Sequence, residues 1–163
     1  SPYVNAIWDR YESMRKAMQM EDAFLNAEVT DFPNICLPGL DGQDVCLSSL
    51  KGKTIILSFW HSANVDMRLD NRELHEMYNR YSPRGLEIYQ VGLDTDKTAW
   101  ATGIRDQDLP WISVCDGLGI YSPAVTTYNV VEIPTFFIID KEGNIRQRLS
   151  NVQEVIREVK TLF

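Results

Sequence analysis

The sequence predicts an α/β domain at residues 31–163, with a central mixed sheet covered by helices on both faces. One observation is that apolar strand-like stretches alternate with amphipathic helical stretches between residues 54 and 115, an order typical of parallel strands joined by helices. A second is that two further strands, separated by a tight turn, precede a final helix and add antiparallel pairing. The length of 163 residues suits one such domain, since a chain of this size can bury a substantial core.

A helical segment, residues 1–30, precedes the predicted domain. Between residues 3 and 27 no Gly or Pro occurs, and apolar residues recur at steps of three and four, which predicts an amphipathic helix: Val4, Ile7, Trp8, Tyr11, Met14 and Met18. This helix packs on the flank of the domain, or it docks onto an upstream region or a partner chain. The chain begins Ser1-Pro2 without a methionine, so we expect a trimmed sequence from which a signal peptide, lipid anchor or upstream region is missing.

A β-hairpin is predicted next. Two strand-like stretches, 35–37 and 45–47, flank the loop Leu40-Asp41-Gly42, which has Gly where a left-handed conformation is needed. With this loop, Cys36 faces Cys46, and opposed Cα atoms in an antiparallel pair lie about 4.5–5.5 Å apart, within disulfide reach. The sequence therefore allows a Cys36–Cys46 disulfide that would stabilise the fold by roughly 2–3 kcal/mol. The alternative is two unpaired cysteines, since a register change of one residue separates them.

The central elements follow from apolar runs and helical stripes. Residues 54–60 form a near-continuous apolar run, as in a strand covered on both faces. A loop over 61–66 then leads to a predicted helix over 67–81, which Pro83-Arg84-Gly85 ends. The remaining predicted elements are a strand at 86–93, a short helix at 97–105, a short strand at 112–115, strands at 135–139 and 145–149, and a final helix capped by Ser150 or Asn151.

Composition and charge exclude several functional classes. Asp and Glu outnumber Lys and Arg by 23 to 16, a net charge of −7 that argues against nucleic acid and anionic membranes as partners. No apolar stretch approaches the roughly 20 residues of a membrane-spanning helix, so no transmembrane segment is predicted. The three cysteines are too few for a disulfide-dense miniprotein or a four-cysteine zinc site, and no two of them form a C-x-x-C pair.

An ordered set of segments resembles the thioredoxin-like proteins of the TlpA/ResA type, which are related to the AhpC/TSA proteins. Leu50-Lys51-Gly52-Lys53 is similar to a turn of that family, 56–60 to the strand before its active site, and Ile133-Pro134-Thr135 to its proline segment. The resemblance covers about residues 32–163. It implies a thioredoxin-like fold, a cis Ile133–Pro134 bond, the activity of a thiol-disulfide oxidoreductase, and an extracytoplasmic bacterial location in the periplasm or at the envelope.

The chain departs from this family at the position of its redox chemistry. In the family a C-x-x-C pair follows the strand that resembles 56–60, and here those two positions hold Asn64 and Met67. Thiol-disulfide exchange needs a thiolate at the start of the helix and a second thiol that resolves the mixed disulfide. Neither residue supplies a thiol, so the sequence predicts no catalytic residue at this site.

No other group offers a convincing catalytic centre. Cys115 ends an apolar strand and is expected to be a small buried hydrophobic residue. His61 and Ser62 are adjacent, which rarely lets one activate the other, and no acidic partner is evident, so a serine hydrolase is disfavoured. The spacing of His61, Asp66 and His75 matches no metal site. The sequence predicts neither a metal nor a cofactor.

The sequence favours a thioredoxin-like protein that lacks C-x-x-C redox activity and binds a protein or peptide partner. The predicted groove, in which the Met67 side chain is expected to be exposed and adaptable, is formed by Trp60, His61, Asn64, Met67, Ile133 and Pro134. Two alternatives remain open. One is a thiol-disulfide oxidoreductase that acts through Cys115 or the Cys36/Cys46 pair, and the other is a structural module of a larger envelope protein.

Overall fold

The computed structural model describes residues 32–163. The predicted helix within residues 1–30, and with it the predicted division of the chain, lies outside the described residues. Two short strands, β1 (Cys36–Pro38) and β2 (Asp44–Cys46), open the described part as an antiparallel hairpin. Gly42 adopts the left-handed conformation in its turn, with φ of 81°, as the sequence predicted.

Cys36 and Cys46 face each other in this hairpin and form a disulfide, with Cα atoms 4.0 Å apart. The predicted register is therefore confirmed, and these two cysteines are joined. Cys36 is exposed, and Asn34 Nδ2 donates a hydrogen bond to its Sγ at 3.6 Å. The disulfide thus lies at the surface of the domain.

A five-stranded mixed sheet forms the centre, in the order β5-β4-β3-β6-β7. Its strands are β3 (Thr54–Trp60), β4 (Leu86–Gly92), β5 (Ile112–Val114), β6 (Thr135–Ile139) and β7 (Ile145–Leu149). The first three are parallel to one another, whereas β6 pairs antiparallel with both β3 and β7. Every residue of β3 is buried, as expected for the central strand of a sheet covered on both faces.

Helices and the hairpin cover the two faces of this sheet. Besides three short 3-10 helices, the described residues form four α-helices: α1 (Val65–Tyr81), α2 (Lys97–Gln107), α3 (Pro123–Thr127) and α4 (Val152–Leu162). Successive residues of a strand point to opposite faces, so β3 contributes to two cores. Ile56 belongs to the core that contains Leu74 of α1, and Leu57 to the core that contains Leu37 of β1. None of the helices within 32–163 has the length and apolarity needed to cross a bilayer.

Two helices differ from the prediction. α1 begins at Val65, two residues early, because the side chain of Asn64 caps it by accepting the backbone N–H of Met67 at 3.1 Å. The five-residue α3, capped by Ser122 and begun by Pro123, was not predicted, since so short a helix has too few turns to produce a periodic apolar pattern. The other predicted boundaries lie within two residues of the observed ones.

Candidate functional site

Most of the predicted groove residues lie at one edge of the central sheet. The parallel strands β3, β4 and β5 end at this edge, and β6 begins there because it runs opposite to β3. Four connecting segments therefore meet, which we call the site edge: residues 61–64, 93–96, 115–122 and 129–134. Binding sites of α/β sheets are commonly built from loops at the carboxyl ends of parallel strands.

Asn64 is exposed at the site edge and begins α1. Its Oδ1 accepts the N–H of Met67, and its carbonyl oxygen accepts the N–H of Arg68 at 3.1 Å. The first bond satisfies a donor that the first turn of a helix leaves without an intrahelical partner, and the second is the first backbone bond of the helix. Asn64 therefore caps the helix, and it carries no group that can attack a disulfide.

Two of the predicted groove residues are not at the surface. Trp60 is 1% exposed and Met67 is 4% exposed, and they pack in one cluster with Trp100, Ile104 and Cys115. The expectation of an exposed Met67 is wrong, because this position of α1 faces the sheet and not the solvent. Trp60 and Met67 support the site edge from below and do not line a groove.

A hydrogen-bond network centred on Asp94 fixes the loop between β3 and α1. Asp94 is 1% exposed, its Oδ1 accepts the N–H of Ser62 at 3.1 Å, and its Oδ2 accepts the Ser62 hydroxyl. His61 Nδ1 lies 3.7 Å from the same Oδ2. Sequence reasoning missed this acidic partner. The available signal was that Asp94 follows β4 as Ser62 follows β3, and neighbouring parallel strands end side by side.

This network does not form a catalytic triad. In a triad the serine hydroxyl donates to the histidine, which in turn donates to the carboxylate. Here the Ser62 hydroxyl donates directly to Asp94, and His61 Nδ1 accepts the N–H of Ala63 at 3.1 Å. Ser62 is only 6% exposed, so its oxygen is not presented to a substrate. The network shapes the loop and does not provide a hydrolytic centre.

Cys115 is enclosed beneath the site edge. It is fully buried, and its Sγ donates to the backbone oxygen of Asp94 at 3.5 Å. Burial raises the pKa of the Cys115 thiol, and the nearby carboxylates of Asp94 and Asp116 act in the same direction. Because the thiolate is the nucleophile in disulfide exchange, this environment is the opposite of the one that activates a redox cysteine.

The segment before β6 completes the site edge. The Ile133–Pro134 bond is cis, as expected from the sequence, and both side chains are half-buried. Thr135 pairs with Phe59 in the sheet, whereas Ile133 makes no backbone-to-backbone hydrogen bond within residues 32–163. The N–H and C=O of Ile133 therefore have no backbone partner among the described residues.

Large apolar side chains are exposed in or beside these loops. Val131 is 78% exposed, Ile120 72% and Tyr121 82%, and Val65 at the start of α1 is 70% exposed. Exposed apolar surface on a folded domain commonly marks a site of interaction. The position of these residues at the same edge as Ile133 favours a binding surface for another polypeptide.

Within the part of the chain that the structure describes, no three His, Cys, Asp or Glu side chains are arranged to hold a metal ion. The three residues considered from the sequence have other surroundings. His61 lies beside Asp94, Asp66 is in the first turn of α1, and His75 meets Trp111 edge-on, with ring centroids 6.1 Å apart. These three side chains are therefore not brought together as ligands.

The chain has relatives among thiol-disulfide oxidoreductases. Residues 29–148 match the model of the AhpC/TSA family. The thiol-disulfide oxidoreductase ResA of Bacillus thuringiensis subsp. konkukian is 31% identical to this chain over 123 residues, which cover 74% of this chain and 68% of ResA. ResA of Bacillus anthracis is 30% identical over 124 residues, with the same coverage of the two chains.

Solved structures have the same fold. A thiol-disulfide oxidoreductase from Bacteroides fragilis matches with a TM-score of 0.75 at 26% identity, over 82% of this chain and 99% of that one. The thioredoxin domain of a thiol-disulfide oxidoreductase from Bacteroides vulgatus matches with a TM-score of 0.72 at 25% identity, over 79% and 92% of the two chains. The predicted thioredoxin-like fold, with its mixed sheet and leading hairpin, is confirmed.

Proposed function

We propose that this chain, which belongs to the AhpC/TSA family of thioredoxin-like proteins, binds an extended polypeptide and does not carry out C-x-x-C disulfide exchange. The observation that carries this proposal is the pair of residues at the start of α1. Asn64 caps the helix, and Met67 is buried in the core. With neither residue able to form a thiolate, no mixed disulfide with a substrate can form at this site.

The parts of the site edge that would bind a polypeptide are retained. The unpaired backbone of Ile133 offers a donor and an acceptor to an extended chain, as in the addition of a strand to a sheet. The half-buried His61 and the exposed Asn64 lie at the same edge and offer polar contacts, while Val131 offers apolar contact. The Asp94 network holds the loop of His61 in place before binding, which lowers the entropy lost on association.

A redox function is the second candidate, and the exposed Cys36–Cys46 disulfide favours it. A thiolate of a partner dithiol protein would attack Cys36 Sγ, form a mixed disulfide and release Cys46 as a thiolate. The partner's second thiolate would then attack the partner sulfur of the mixed disulfide and release Cys36 as a thiolate, so that the partner is oxidised to a disulfide and this chain is reduced. Asn34 Nδ2 can donate to Cys36 Sγ in such a step. We rank this candidate second because the disulfide lies in the hairpin and not in the loops of the site edge, and because the buried Cys115 is closed to exchange.

We further propose an extracytoplasmic bacterial location, in the periplasm or at the envelope. The Cys36–Cys46 disulfide supports this, because structural disulfides persist in oxidising compartments and are rare in the cytosol. A role as a structural module of a larger envelope protein is compatible with the same location. It would predict no polypeptide binding at the site edge.

Nuclear magnetic resonance with a mixture of cysteine-free decapeptides tests the binding proposal. Backbone amide signals of Ile133, Glu132 and Asn64 should shift on titration, and Val131→Glu should weaken these shifts by placing a charge on the apolar contact. Lys141→Glu, in the turn that joins β6 to β7 at the other end of the strand, is the control and should bind normally. Absence of shifts, or shifts confined to other regions, would reject a binding role for the site edge.

A further inference from the structure

A second surface adjoins the site edge. It is a groove of about 390 Å³ between α1 and α2, lined by Val65, Arg68, Leu69, Arg72, Asp106 and Gln107. The groove starts at Val65, the residue that follows the Asn64 cap, so a chain bound at the site edge can continue into it. Its volume lies within the range of clefts that receive ligand groups.

The α1 side of the groove is one stripe of a helix. Val65, Arg68, Leu69 and Arg72 are spaced at i, i+3, i+4 and i+7, which places all four on the same face. Val65 is 70% exposed and Leu69 50% exposed, although both are large apolar residues. The stripe therefore combines apolar surface with two guanidinium groups on one face of the helix.

Among residues 32–163, the arginines of this stripe have no ion-pair partner. Arg68 and Arg72 form no ion pair with any described residue, whereas Lys53 and Arg146 lie within 4.0 Å of the carboxylates of Glu87 and Asp140. The one acidic residue that lines the groove, Asp106, is exposed on α2 and lies in no ion pair among residues 32–163 either. In a chain of net charge −7, two arginines on one face without an ion-pair partner among residues 32–163 attract carboxylates, which guanidinium groups bind through paired hydrogen bonds.

Amide side chains, of which Asn71 and Gln90 are buried and Gln107 is half-buried, hold the floor of the groove in place. Gln107 Nε2 donates to the backbone oxygen of Arg68 at 2.6 Å, and Gln107 Oε1 accepts from Asn71 Nδ2 at 2.9 Å. Asn71 Oδ1 in turn accepts from Gln90 Nε2 of β4 at 2.9 Å. These bonds connect α1, α2 and the sheet, so the separation of the two helices is set before any partner arrives.

We propose that this groove receives an acidic and apolar segment of the polypeptide bound at the site edge. A carboxylate of the segment binds Arg68 and Arg72, and an adjacent apolar side chain covers Val65 and Leu69. This inference rests on the proposed function and adds the chemistry of the partner. The two surfaces together define a partner that is extended where it passes Ile133 and acidic where it passes α1.

The test uses the full chain and fluorescent twelve-residue peptides, cysteine-free, built from Leu, Phe, Glu and Asp, each with a counterpart in which Gln and Asn replace the acids. Fluorescence anisotropy should give at least about tenfold tighter binding of the acidic peptides, the size expected for hydrogen bonds to a charged group. The double variant Arg68→Gln/Arg72→Gln should lose this preference. Arg80→Gln/Arg105→Gln removes two exposed arginines from the same helices outside the groove and should keep it.

Each outcome decides the proposal. The acidic partner is contradicted if the acidic and amide peptides bind equally, or if both double variants lose the preference for acidic peptides to the same extent. Either result leaves the proposed binding at the site edge unaffected. A failure of both peptide sets to bind contradicts the groove and the proposed function together.

If a synthetic peptide of residues 1–31 displaces the acidic peptides at lower concentration, the occupant is the chain's own segment. If Arg68→Gln/Arg72→Gln converts a dimer to a monomer in sedimentation, the occupant is a second copy. Either result overturns the external partner.

Discussion

Asp94 joins two loops of the site edge that are 32 residues apart in the chain. It accepts both the N–H and the hydroxyl of Ser62 while almost fully buried, so a single carboxylate replaces the water that these donors would otherwise bind. The consequence for function is a fixed loop between β3 and α1. That loop carries His61 and leads to Asn64.

Asp94→Asn should lower the free energy of unfolding by roughly 1–3 kcal/mol, the cost of leaving a buried donor without its acceptor. Urea denaturation measures this change. Ser62→Ala combined with Asp94→Asn should be less destabilising than the sum of the single variants, since both remove the same contact. Additive effects would mean that the two residues act independently.

Cys115 should be unreactive in the folded protein. Burial raises the pKa of its thiol, so the thiolate is scarce below the raised value and access is blocked besides. The expected result with a thiol-reactive chromophore at pH 8 is no rapid labelling of the native, oxidised chain and one reactive thiol per chain after unfolding, because Cys36 and Cys46 are joined. Rapid labelling of the native protein would contradict the expected lack of reactivity and would support a redox role for Cys115.

At the scale of elements, α1 has three faces with different roles. Its buried face carries Met67 and Leu74 into the cores, and its exposed stripe carries Arg68 and Arg72. A further face carries acidic residues that repel one another. The helix is polar overall but packs firmly on the sheet, because its apolar contacts are confined to the face that meets the sheet.

Asp70→Asn should stabilise the protein at pH 7. Burial raises the pKa of Asp70 above its ordinary value of 3.8, with repulsion from Glu73 and Asp66 adding to the shift. The stabilising contribution of this carboxyl group is therefore complete below its unfolded pKa and is lost as the pH rises through the raised folded value.

We expect a gain of about 0.2–0.5 kcal/mol for Asp70→Asn at pH 7, a small figure because solvent screens the repulsion, and no gain at pH 3, where the carboxyl group is protonated. Chemical denaturation at the two pH values measures the difference. Glu76→Gln, which removes a charge from the same helix three residues beyond Glu73, should not reproduce this pH dependence at the same size. A loss of stability of Asp70→Asn at pH 7 would contradict the inference that the ionised Asp70 carboxylate destabilises the folded protein.

Elements with a strong local pattern could be predicted from the sequence. The strand at 54–60 and the Cys36–Cys46 register followed from apolar runs and a turn glycine, because these signals act over a few residues. Contacts that need the folded sheet could not be predicted in this way. The pairing of Ser62 with Asp94 is of this kind, and so is the burial of Met67.

At the scale of the whole molecule, the proposed function separates polypeptide binding from disulfide exchange. Ile133 makes no backbone-to-backbone hydrogen bond within residues 32–163, and the start of α1 carries Asn64 and Met67, neither of which has a thiol. All three cysteines lie elsewhere: two are joined in the hairpin, and one is buried. The chemistry that we propose for this chain is recognition, through backbone pairing, apolar contact and the arginines of α1.

The thiol-dependent reduction of insulin tests most directly whether this chain lacks disulfide-exchange activity. The natural sequence should give only the uncatalysed rate, whereas Asn64→Cys/Met67→Cys should gain activity, because it places two thiols one helical turn apart at the start of α1. Cys36→Ser/Cys46→Ser and Cys115→Ser trace any activity to its source. Turnover by the natural sequence above the uncatalysed rate, abolished by one of these serine variants, would contradict the central claim.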